Sequence, residues 1–364
     1  MRVDWLSLTQ FRSYVSLEWR PDAGLNLLIG RNAAGKTNLL EAVGYLSRLK
    51  SFRGAADPAL VGEEADSAVI RAGVASAERE RLVEIELRRE GRRRAQVDKT
   101  PLRRTADLLG VLRVIAFLPE DLDLIKRGPG LRRELLDDAA VQLWPAAHLD
   151  QLEFDRALRQ RNAFLKTGDR DETTLGVWDA RMAQSGGRVM ARRARALDAL
   201  SPHLMKAYSE VAADGAKVSL DYIPDWWQGP LGTDSAASYA DALARALEAS
   251  RKIDYERRMT TVGPHRDDPA FTIDDHPART HGSQGEQRTL ALAVRLAAHR
   301  AVFEEVGDNP VLLLDDVFSE LDSERAAALA GALPSEAQTL ITSARPEDVP
   351  IQGTAWTVAG GEIQ

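Results

Sequence analysis

Two short apolar runs in the chain predict strands that are buried on both faces. One covers residues 25–29 and the other residues 311–314, and neither alternates between apolar and polar positions. Continuous runs of this kind are typical of parallel strands that helices cover on both sides. A final α/β unit is expected to end in a strand at residues 339–342 of the same sheet. The pattern therefore predicts an α/β domain.

Partial alternation of apolar and polar residues predicts further strands near the start of the chain. They cover residues 3–19, which lead into the strand at 25–29, and residues 67–75 and 81–98. The last stretch is expected to form a hairpin with residues 88–94 at its tip. The arginines of this tip could meet phosphate, but the neighbouring glutamates favour a solvated tip.

After Pro119 the apolar residues recur mostly at helical spacing. Helices are predicted over residues 131–166, 175–213, 236–258 and 285–305, with a strand at 270–273 and with breaks at Gly168-Asp169, at Ser201-Pro202 and between Pro224 and Pro230. These segments predict a mainly helical domain that is inserted into the α/β domain. The expected bounds are 1–118 and 290–364 for the discontinuous α/β domain, and 119–289 for the helical domain.

Composition indicates a globular protein. Of its 364 residues 44% are hydrophobic and 28% are charged, which excludes wholesale disorder. The absence of cysteine excludes disulfides and thiolate metal sites. No apolar run approaches the roughly 18–20 residues that span a membrane, and the first residues lack the pattern of a signal peptide. These features predict a cytosolic protein with no membrane contact.

Net charge bears on nucleic-acid binding. The chain has 48 basic and 55 acidic residues, for a formal net charge of −7. Proteins that bind nucleic acid through bulk electrostatics are usually basic overall. Any contact with DNA is therefore expected to come from a local patch.

The stretch GRNAAGKTN, residues 30–38, matches the phosphate-loop pattern Gly-x-x-x-x-Gly-Lys-Ser/Thr. Backbone N–H groups and the helix N-terminus cradle phosphates in such loops. Lys36 is expected to reach the β- and γ-phosphates, and the Thr37 hydroxyl to ligate Mg²⁺. An incidental glycine-rich turn is the alternative, which Lys-Thr after the second glycine disfavours. The predicted nucleotide-binding residues are Gly30, Arg31, Asn32, Ala33, Ala34, Gly35, Lys36 and Thr37.

The acidic pair Asp315-Asp316 follows the apolar run at residues 311–314. Ligands gather at the carboxyl ends of the strands in open α/β sheets. Asp315 is expected to hold Mg²⁺, through water, and Asp316 to polarise an attacking water. Alternatively, the acidic pair could be a simple turn or a helix cap. The presence of a phosphate loop in the same chain makes this interpretation less favoured.

The segment Ser283-Gln284-Gly285 opens the helix predicted over residues 285–305. A glycine-containing helix start is a second possible anion-binding end. The alternative is ordinary capping, with Ser283 and Glu286 forming a capping box. The two interpretations are compatible, because a cap and an anion use the same N–H groups.

The order of phosphate loop, serine-glycine helix start, acid-tipped strand and Leu321-Asp322 turn resembles that of ABC-type ATPase heads. This resemblance implies ATP and Mg²⁺ as cofactors. It also implies that Ser283, Gly285 and Asp322 contribute to the ATP site, with the serine-glycine segment facing the γ-phosphate held by a second subunit. GTPases, nucleotide kinases and helicases have no such segment at this position.

Further stretches resemble the RecF family of bacterial recombination mediators, which are related to the heads of SMC-type chromosome-maintenance proteins. The matching stretches are Phe11-Arg12-Ser13-Tyr14, Pro119-Glu120-Asp121-Leu122, Gly128-Pro129, Arg132-Arg133, Leu136-Asp137, Gly263-Pro264-His265-Arg266-Asp267-Asp268 and Ser283-Gln284-Gly285-Glu286-Gln287-Arg288. They extend over nearly the whole chain.

The RecF resemblance implies a slow, weak DNA-dependent ATPase that closes as a homodimer when ATP binds. It further implies binding to single-stranded and gapped duplex DNA, with roles in recombinational repair, replication restart and SOS induction. RecR and RecO are the implied partners. A generic SMC-type head, a transporter ATPase subunit and a phosphate-loop kinase are the alternatives.

The sequence departs from the ABC pattern at two positions. Asp316 stands where transporter ATPases usually carry glutamate, and its shorter side chain implies slow hydrolysis. Residues 341–343, Ile-Thr-Ser, stand where such enzymes often have a switch histidine, so no strong γ-phosphate sensor is expected there. His265 lies in a turn and is expected to be structural, without a chemical role.

Overall fold

The computed structural model describes residues 1–364 except 78, 213, 214, 223 and 229–234. Contacts divide the chain into two compact units. The first contains Met1–Asp123, Lys206–Gly215 and Arg288–Gln364, and the second contains Leu124–Met205 and Ala216–Gln287. In the described part of the chain, no helix combines the length and apolar character needed to cross a membrane.

Strands and helices are numbered along the chain. The strands are β1 (Arg2–Phe11), β2 (Tyr14–Trp19), β3 (Leu25–Ile29), β4 (Ser67–Ala75), β5 (Glu80–Arg88), β6 (Arg94–Val97), β7 (Thr100–Pro101), β8 (Val114–Phe117), β9 (Val218–Asp221), β10 (Ala270–Ile273), β11 (His276–Pro277), β12 (Val311–Asp315), β13 (Thr339–Ser343), β14 (Thr354–Ala359) and β15 (Glu362–Ile363). The helices are α1 (Lys36–Arg48), α2 (Pro129–Leu143), α3 (Ala147–Thr167), α4 (Glu172–Val211), α5 (Ala236–Arg257), α6 (Ala278–His281), α7 (Gln284–Val306) and α8 (Ser323–Ala332).

A mainly parallel sheet in the first unit has the strand order β15-β14-β3-β13-β12-β8. β13 pairs in parallel with both β3 and β12, so the carboxyl ends of these three strands lie at the same edge. They are the three strands predicted for this sheet, and all three are confirmed. β8 and β14 were not predicted, because β8 has only 4 residues and β14 carries alanine at exposed positions, so its apolar residues do not follow its burial.

The alternating segments near the start form a second sheet, which is antiparallel and has the order β2-β1-β4-β5-β6-β7. The predicted strands within residues 3–19 and 67–98 are therefore confirmed. β1 and β2 precede β3 along the chain but pair in this separate sheet, with Leu8 opposite both Leu17 of β2 and Ile70 of β4. Burial of Leu6 and Leu8 explains the alternation in the sequence.

The tip of the β5–β6 hairpin folds back onto the protein. Arg93 donates through Nη1 to the Leu49 carbonyl oxygen at 2.6 Å, and Arg89 donates to the Gly62 carbonyl oxygen at 2.7 Å. The expectation of a solvated tip is therefore wrong for these two arginines. The backbone acceptors that hold them come from distant parts of the chain, which local charge pattern cannot indicate.

Helix α4 runs through Ser201-Pro202, so the break predicted there is wrong. A proline inside a helix removes one N–H donor and crowds the preceding turn. Leu200 and Leu204 on either side are buried, with 1% and 2% exposure, and their packing keeps the segment helical. Tertiary packing thus outweighs the local preference.

The helix predicted over residues 131–166 is two helices. α2 ends at Leu143 and α3 begins at Ala147, because proline pushes the residue before it out of helical geometry and Trp144 precedes Pro145. The predicted break at Gly168-Asp169 is confirmed, with Gly168 left-handed at φ 79°. The break predicted between Pro224 and Pro230 lies partly outside the described residues. Residue 213, the predicted end of the helix over 175–213, lies outside them as well.

In the second unit α3, α4 and α5 pack around a core that includes Phe154, Met182 and Leu243. α4 has no room for a side chain at Gly187, where a Cβ would lie 2.4 Å from the Ala236 carbonyl oxygen. This close approach brings α5 against α4. A small sheet with the order β11-β10-β9 completes the unit and confirms the strand predicted at 270–273.

Candidate nucleotide-binding site

The phosphate loop between β3 and α1 has a backbone that requires glycine at two positions. Gly35 has a φ of 108°, and a Cβ there would lie 2.9 Å from the Tyr14 hydroxyl oxygen. A Cβ on Gly30 would lie 2.3 Å from the Val358 carbonyl oxygen. α1 starts without a side-chain cap, so the N–H groups of its first turn have no side-chain acceptor from the cap position. Such a helix start is suited to phosphate oxygens.

The middle of the loop is its accessible part. Arg31, Asn32 and Ala33 are exposed and Ala34 is half-buried. Ala33 has a φ of 65°, and the Ala34 N–H donates to the Arg31 carbonyl oxygen at 3.1 Å, so a tight turn forms here. The middle of the predicted loop is thus open to a ligand.

Lys36 lies buried beneath the loop. Its Nζ donates to the carbonyl oxygens of Gly30 at 2.6 Å and of Arg31 at 3.1 Å. Burial lowers the pKa of Lys36, and the carboxylates of Asp316 and Asp315 oppose that shift. The ammonium group therefore lies in the field of both predicted acids.

Asp315, at the end of β12, joins the strand edge to the phosphate loop. Its Oδ1 accepts hydrogen bonds from the hydroxyls of Thr37 at 2.9 Å and of Thr342 at 2.7 Å. Burial raises the pKa of Asp315, and the two hydroxyl donors oppose this rise. Thr37 and Asp315, which lie far apart in the sequence, are thus adjacent.

Asp316 has a left-handed backbone with a φ of 52°. Its N–H donates to the Thr342 hydroxyl oxygen at 2.9 Å. Among the described residues, nothing donates a hydrogen bond to its buried Oδ1. An orphaned buried carboxylate oxygen is unfavourable, so this atom is suited to a group from outside the chain, such as water.

Sequence reasoning missed two residues of this site. Thr342 bridges the two acids, and its place opposite Asp315 in the β12–β13 register is the signal that could have identified it. Arg53 lies in the loop after α1, where its charge favours the ionised form of Asp315 and its Nη1 lies 3.4 Å from the Asn38 amide oxygen. No local pattern marks Arg53.

The turn between β1 and β2 braces the loop. Arg12 makes a bidentate ion pair with the fully buried Glu41 of α1, at 2.8 and 2.9 Å. Tyr14 donates through its hydroxyl to the Gly35 carbonyl oxygen at 3.1 Å. The Phe-Arg-Ser-Tyr stretch therefore supports the start of α1 directly.

The serine-glycine segment belongs to the second unit, whereas the phosphate loop belongs to the first. Ser283 and Glu286 form a capping box, in which Glu286 N–H donates to Ser283 Oγ at 3.2 Å and Ser283 N–H donates to Glu286 Oε2 at 2.6 Å. These bonds lower the pKa of Glu286. The capping interpretation is confirmed. Gly285 lies in the first turn of α7, and Asp322 caps α8 by accepting from the Arg325 N–H at 2.9 Å.

Oxygen ligands for a cation lie beside the loop. Within the described residues, no cluster of three or more His, Cys, Asp or Glu could hold a metal by itself. The Thr37 hydroxyl and the Asp315 carboxylate nevertheless supply oxygen atoms 2.9 Å apart. Mg²⁺ is commonly held by one or two carboxylates together with the phosphates of its substrate. These residues therefore fit a magnesium ion shared with a nucleotide.

Two other stretches singled out in the sequence meet in the second unit. Arg132 pairs with Asp268 at 2.8 Å, and Arg133 donates to the Asp267 carbonyl oxygen at 2.7 Å. His265 of the same stretch has its Nε2 3.3 Å from the Thr260 carbonyl oxygen, and burial lowers its pKa to about 4. The stretch at residues 263–268 thus has structural contacts that account for it.

Known proteins are similar to this chain over nearly its full length. The family model described as RecF/RecN/SMC N terminal domain matches residues 2–356. The chain is 40% identical to the DNA replication and repair protein RecF of Streptomyces avermitilis, with 100% of each chain covered. It is also 40% identical to that of Frankia alni, covering 100% of this chain and 99% of the relative. The chain belongs to the RecF family.

Solved structures agree with this membership. The structure of the recombination mediator protein RecF-ATPrS in the RecFOR pathway has a TM-score of 0.91 and 30% identity, covering 100% of this chain and 97% of that one. An SMC head bound to the C-winged helix domain of ScpA, at 15% identity, has a TM-score of 0.58 and covers 100% of this chain and 96% of its own. The predicted fold class, an α/β ABC-type ATPase head with a mainly helical second part, is confirmed.

Proposed function

We propose that this RecF-family ATPase binds ATP and DNA, closes as a homodimer on ATP binding, and hydrolyses ATP slowly. The observation that carries the proposal is the junction of the phosphate loop with the acid-tipped strand, where Thr37 donates to Asp315 at 2.9 Å. Relatives at 40% identity named DNA replication and repair protein RecF support the DNA part.

The loop residues have distinct proposed roles in ATP binding. The exposed loop backbone and the start of α1 accept the phosphates, and Lys36 exchanges its bonds to loop carbonyl oxygens for the β- and γ-phosphates. Thr37 and Asp315 would hold Mg²⁺, with Asp315 expected to do so through water. When bound, the ion would supply positive charge that offsets the negative charge on the phosphate oxygens.

Asp316 is the proposed general base. Its unpartnered Oδ1 can accept a hydrogen bond from the attacking water and orient it. Aspartate is shorter than the glutamate of transporter ATPases, so the water is held less closely. Slow turnover, stimulated by DNA, is the proposed consequence.

A second subunit is proposed to complete the site. The segment of Ser283 and Gly285, together with Asp322, contributes to the ATP held by Lys36, with Ser283 coming from the partner copy. The capping box at Ser283 does not oppose this role, because the first-turn N–H groups of α7 that lie beyond the cap remain available for an anion.

The proposed setting is recombinational repair and replication restart at single-strand gaps, with a part in SOS induction. The substrates are single-stranded and gapped duplex DNA, and the protein acts in the cytosol. A related solved structure described as belonging to the RecFOR pathway supports RecO and RecR as the partners. Full-length similarity to RecF proteins favours this function over a generic SMC-type head, a transporter ATPase subunit or a phosphate-loop kinase.

Light scattering with and without ATP, Mg²⁺ and gapped DNA tests the proposal. The mass is expected to double with ATP, and DNA affinity to rise. Lys36→Met is the control, because it removes the ammonium group beneath the loop and should abolish both responses. A parent protein that stays monomeric with ATP, and binds DNA equally with and without it, contradicts the proposal.

A further inference from the structure

A groove lies between α3 and α4 in the second unit and has a volume of about 440 Å³. α3 contributes Arg156 and Gln160, and α4 contributes Trp178, Arg181 and Gln184. The spacing of three or four residues places each set along one side of its helix. The volume falls in the range of small-ligand sites, roughly 300–1,000 Å³.

The charges in this groove are only partly neutralised. Arg188, at one end, pairs with Asp150 at 2.9 Å and with Glu153. In the described part of the chain, no carboxylate lies within salt-bridge distance of Arg156 or Arg181. Both of these arginines are exposed. The groove therefore presents two guanidinium groups that can bind an anion.

An aromatic surface accompanies these charges. The guanidinium of Arg181 lies over the ring of Trp178, 5.3 Å from its centroid. The next residue, Asp179, is buried and accepts from Arg161 at 2.7 Å and from Arg251 at 2.9 Å. These bonds fix the α4 backbone next to Trp178.

We propose that this groove binds one nucleotide of single-stranded DNA. Its base stacks on Trp178 in place of the Arg181 guanidinium, which turns to one flanking phosphate, and Arg156 pairs with the other. The amides of Gln160 and Gln184 can donate to and accept from the edge of the base. The inference rests on the proposed DNA binding and adds to it a contact surface that the net charge of −7 conceals.

The combination of groups favours this ligand. Stacking on an aromatic side chain tolerates any base, and arginine pairs with phosphate while also stacking on rings. An acidic peptide would also satisfy the two arginines, but only a nucleic acid places a flat, stackable base between two phosphates in every repeat. The volume of the groove suits one unstacked nucleotide.

Binding of a fluorescent oligo-dT to the full-length protein with ATP and Mg²⁺ tests the proposal. Trp178→Ala should weaken binding about tenfold or more, the scale for losing one stacked base, and Trp178→Phe should restore much of it. Arg156→Gln with Arg181→Gln should reduce the slope of log affinity against log salt by about 1.4, or about 0.7 for each phosphate contact.

A matched double variant controls for charge. Arg159→Gln with Arg257→Gln removes two exposed arginines of the same unit that do not line the groove. It should keep the parental affinity and salt slope. An equal loss in both double variants assigns the effect to overall charge and overturns the groove proposal.

The outcomes also separate this inference from the proposed function. A parent protein that binds no oligo-dT contradicts both. If the parent binds while Trp178→Ala and the Arg156/Arg181 variant bind equally well, and ATP still doubles the mass, only the groove assignment is wrong. Polyglutamate binding that depends on Arg156 and Arg181, with oligo-dT affinity unchanged in these variants, assigns the groove to an acidic protein segment instead.

Discussion

At the scale of single residues, the role proposed for Asp316 in hydrolysis can be tested separately from ATP binding. Its buried Oδ1 has no hydrogen-bond partner among the described residues and could orient a water molecule, whereas Asp315 Oδ1 accepts hydrogen bonds from two hydroxyls. Asp316→Asn is expected to retain ATP binding and to reduce steady-state phosphate release by roughly 10²-fold or more, the scale for losing a positioned base. Calorimetry and phosphate release measure the two properties. Parental turnover in this variant rules out the assigned role.

Thr342 is a second residue whose role can be tested. Its hydroxyl donates to Asp315 at 2.7 Å and accepts from the Asp316 N–H at 2.9 Å. Thr342→Val keeps the shape but leaves both buried groups short of a partner, which costs about 1–3 kcal/mol. We expect Mg²⁺-dependent ATP affinity to fall about tenfold, while Thr342→Ser stays near the parent. Equal affinities in the valine and serine variants would show that the hydroxyl is dispensable.

At the scale of secondary-structure elements, burial decided what could be predicted. β3 and β12 are short, mostly apolar runs and β13 contains the pair Leu340-Ile341, so pattern alone located the sheet and the acids at its edge. α4 continues through Pro202 because long-range packing holds it, and no local pattern reports that packing. Thr342 reaches the site through the register of β12 and β13, and Arg53 reaches it through the course of the loop after α1. Chemistry carried by a motif was predictable, whereas chemistry assembled by tertiary contacts was not.

Helix α7 contains a buried histidine with a consequence for stability. His299 has 3% exposure, and burial, with help from the positive charge of Arg300, lowers its pKa from 6.5 to about 4. Between these values the unfolded chain binds a proton that the native protein does not. The stabilisation is therefore present above pH 6.5 and lost as the pH falls towards 4.

Denaturant unfolding at pH 8 and pH 5 measures this effect. In His299→Gln the free energy of unfolding should decline by about 2 kcal/mol less than in the parent over this interval. His276→Gln, a change at an exposed histidine, should leave the parental decline intact. If His299→Gln shows the same pH dependence as the parent, His299 does not account for the acid sensitivity.

At the scale of the whole molecule, the negative net charge and the proposed DNA binding are compatible. A charge of −7 sums over the entire chain, whereas phosphate contacts depend on arginines that lack acidic partners, such as Arg156 and Arg181. A dimer would double the number of these phosphate contacts, although its net charge would still be negative. Closure of a homodimer would thus increase DNA affinity even though each subunit is acidic.

The proposed closure of the dimer can be tested at Ser283. Ser283→Arg puts a bulky cation at the start of α7, while the phosphate loop of the same chain stays intact. The variant should therefore bind ATP as a monomer but lose ATP-induced dimerisation. Ser283→Ala is the control for the cap, since it removes the bond to the Glu286 N–H without adding bulk. It should dimerise more readily than the arginine variant.

Mixing Ser283→Arg with Lys36→Met subunits tests whether the sites are shared. In a composite arrangement their heterodimer has one site with both defects and one that is wholly intact. Neither variant pairs alone, so a fraction of ATP-dependent pairing should return only in the mixture. Light scattering with one labelled subunit detects this recovery. Normal ATP-dependent dimerisation of Ser283→Arg by itself would reduce the serine-glycine segment to its capping role, because each protomer would then hold ATP without its partner.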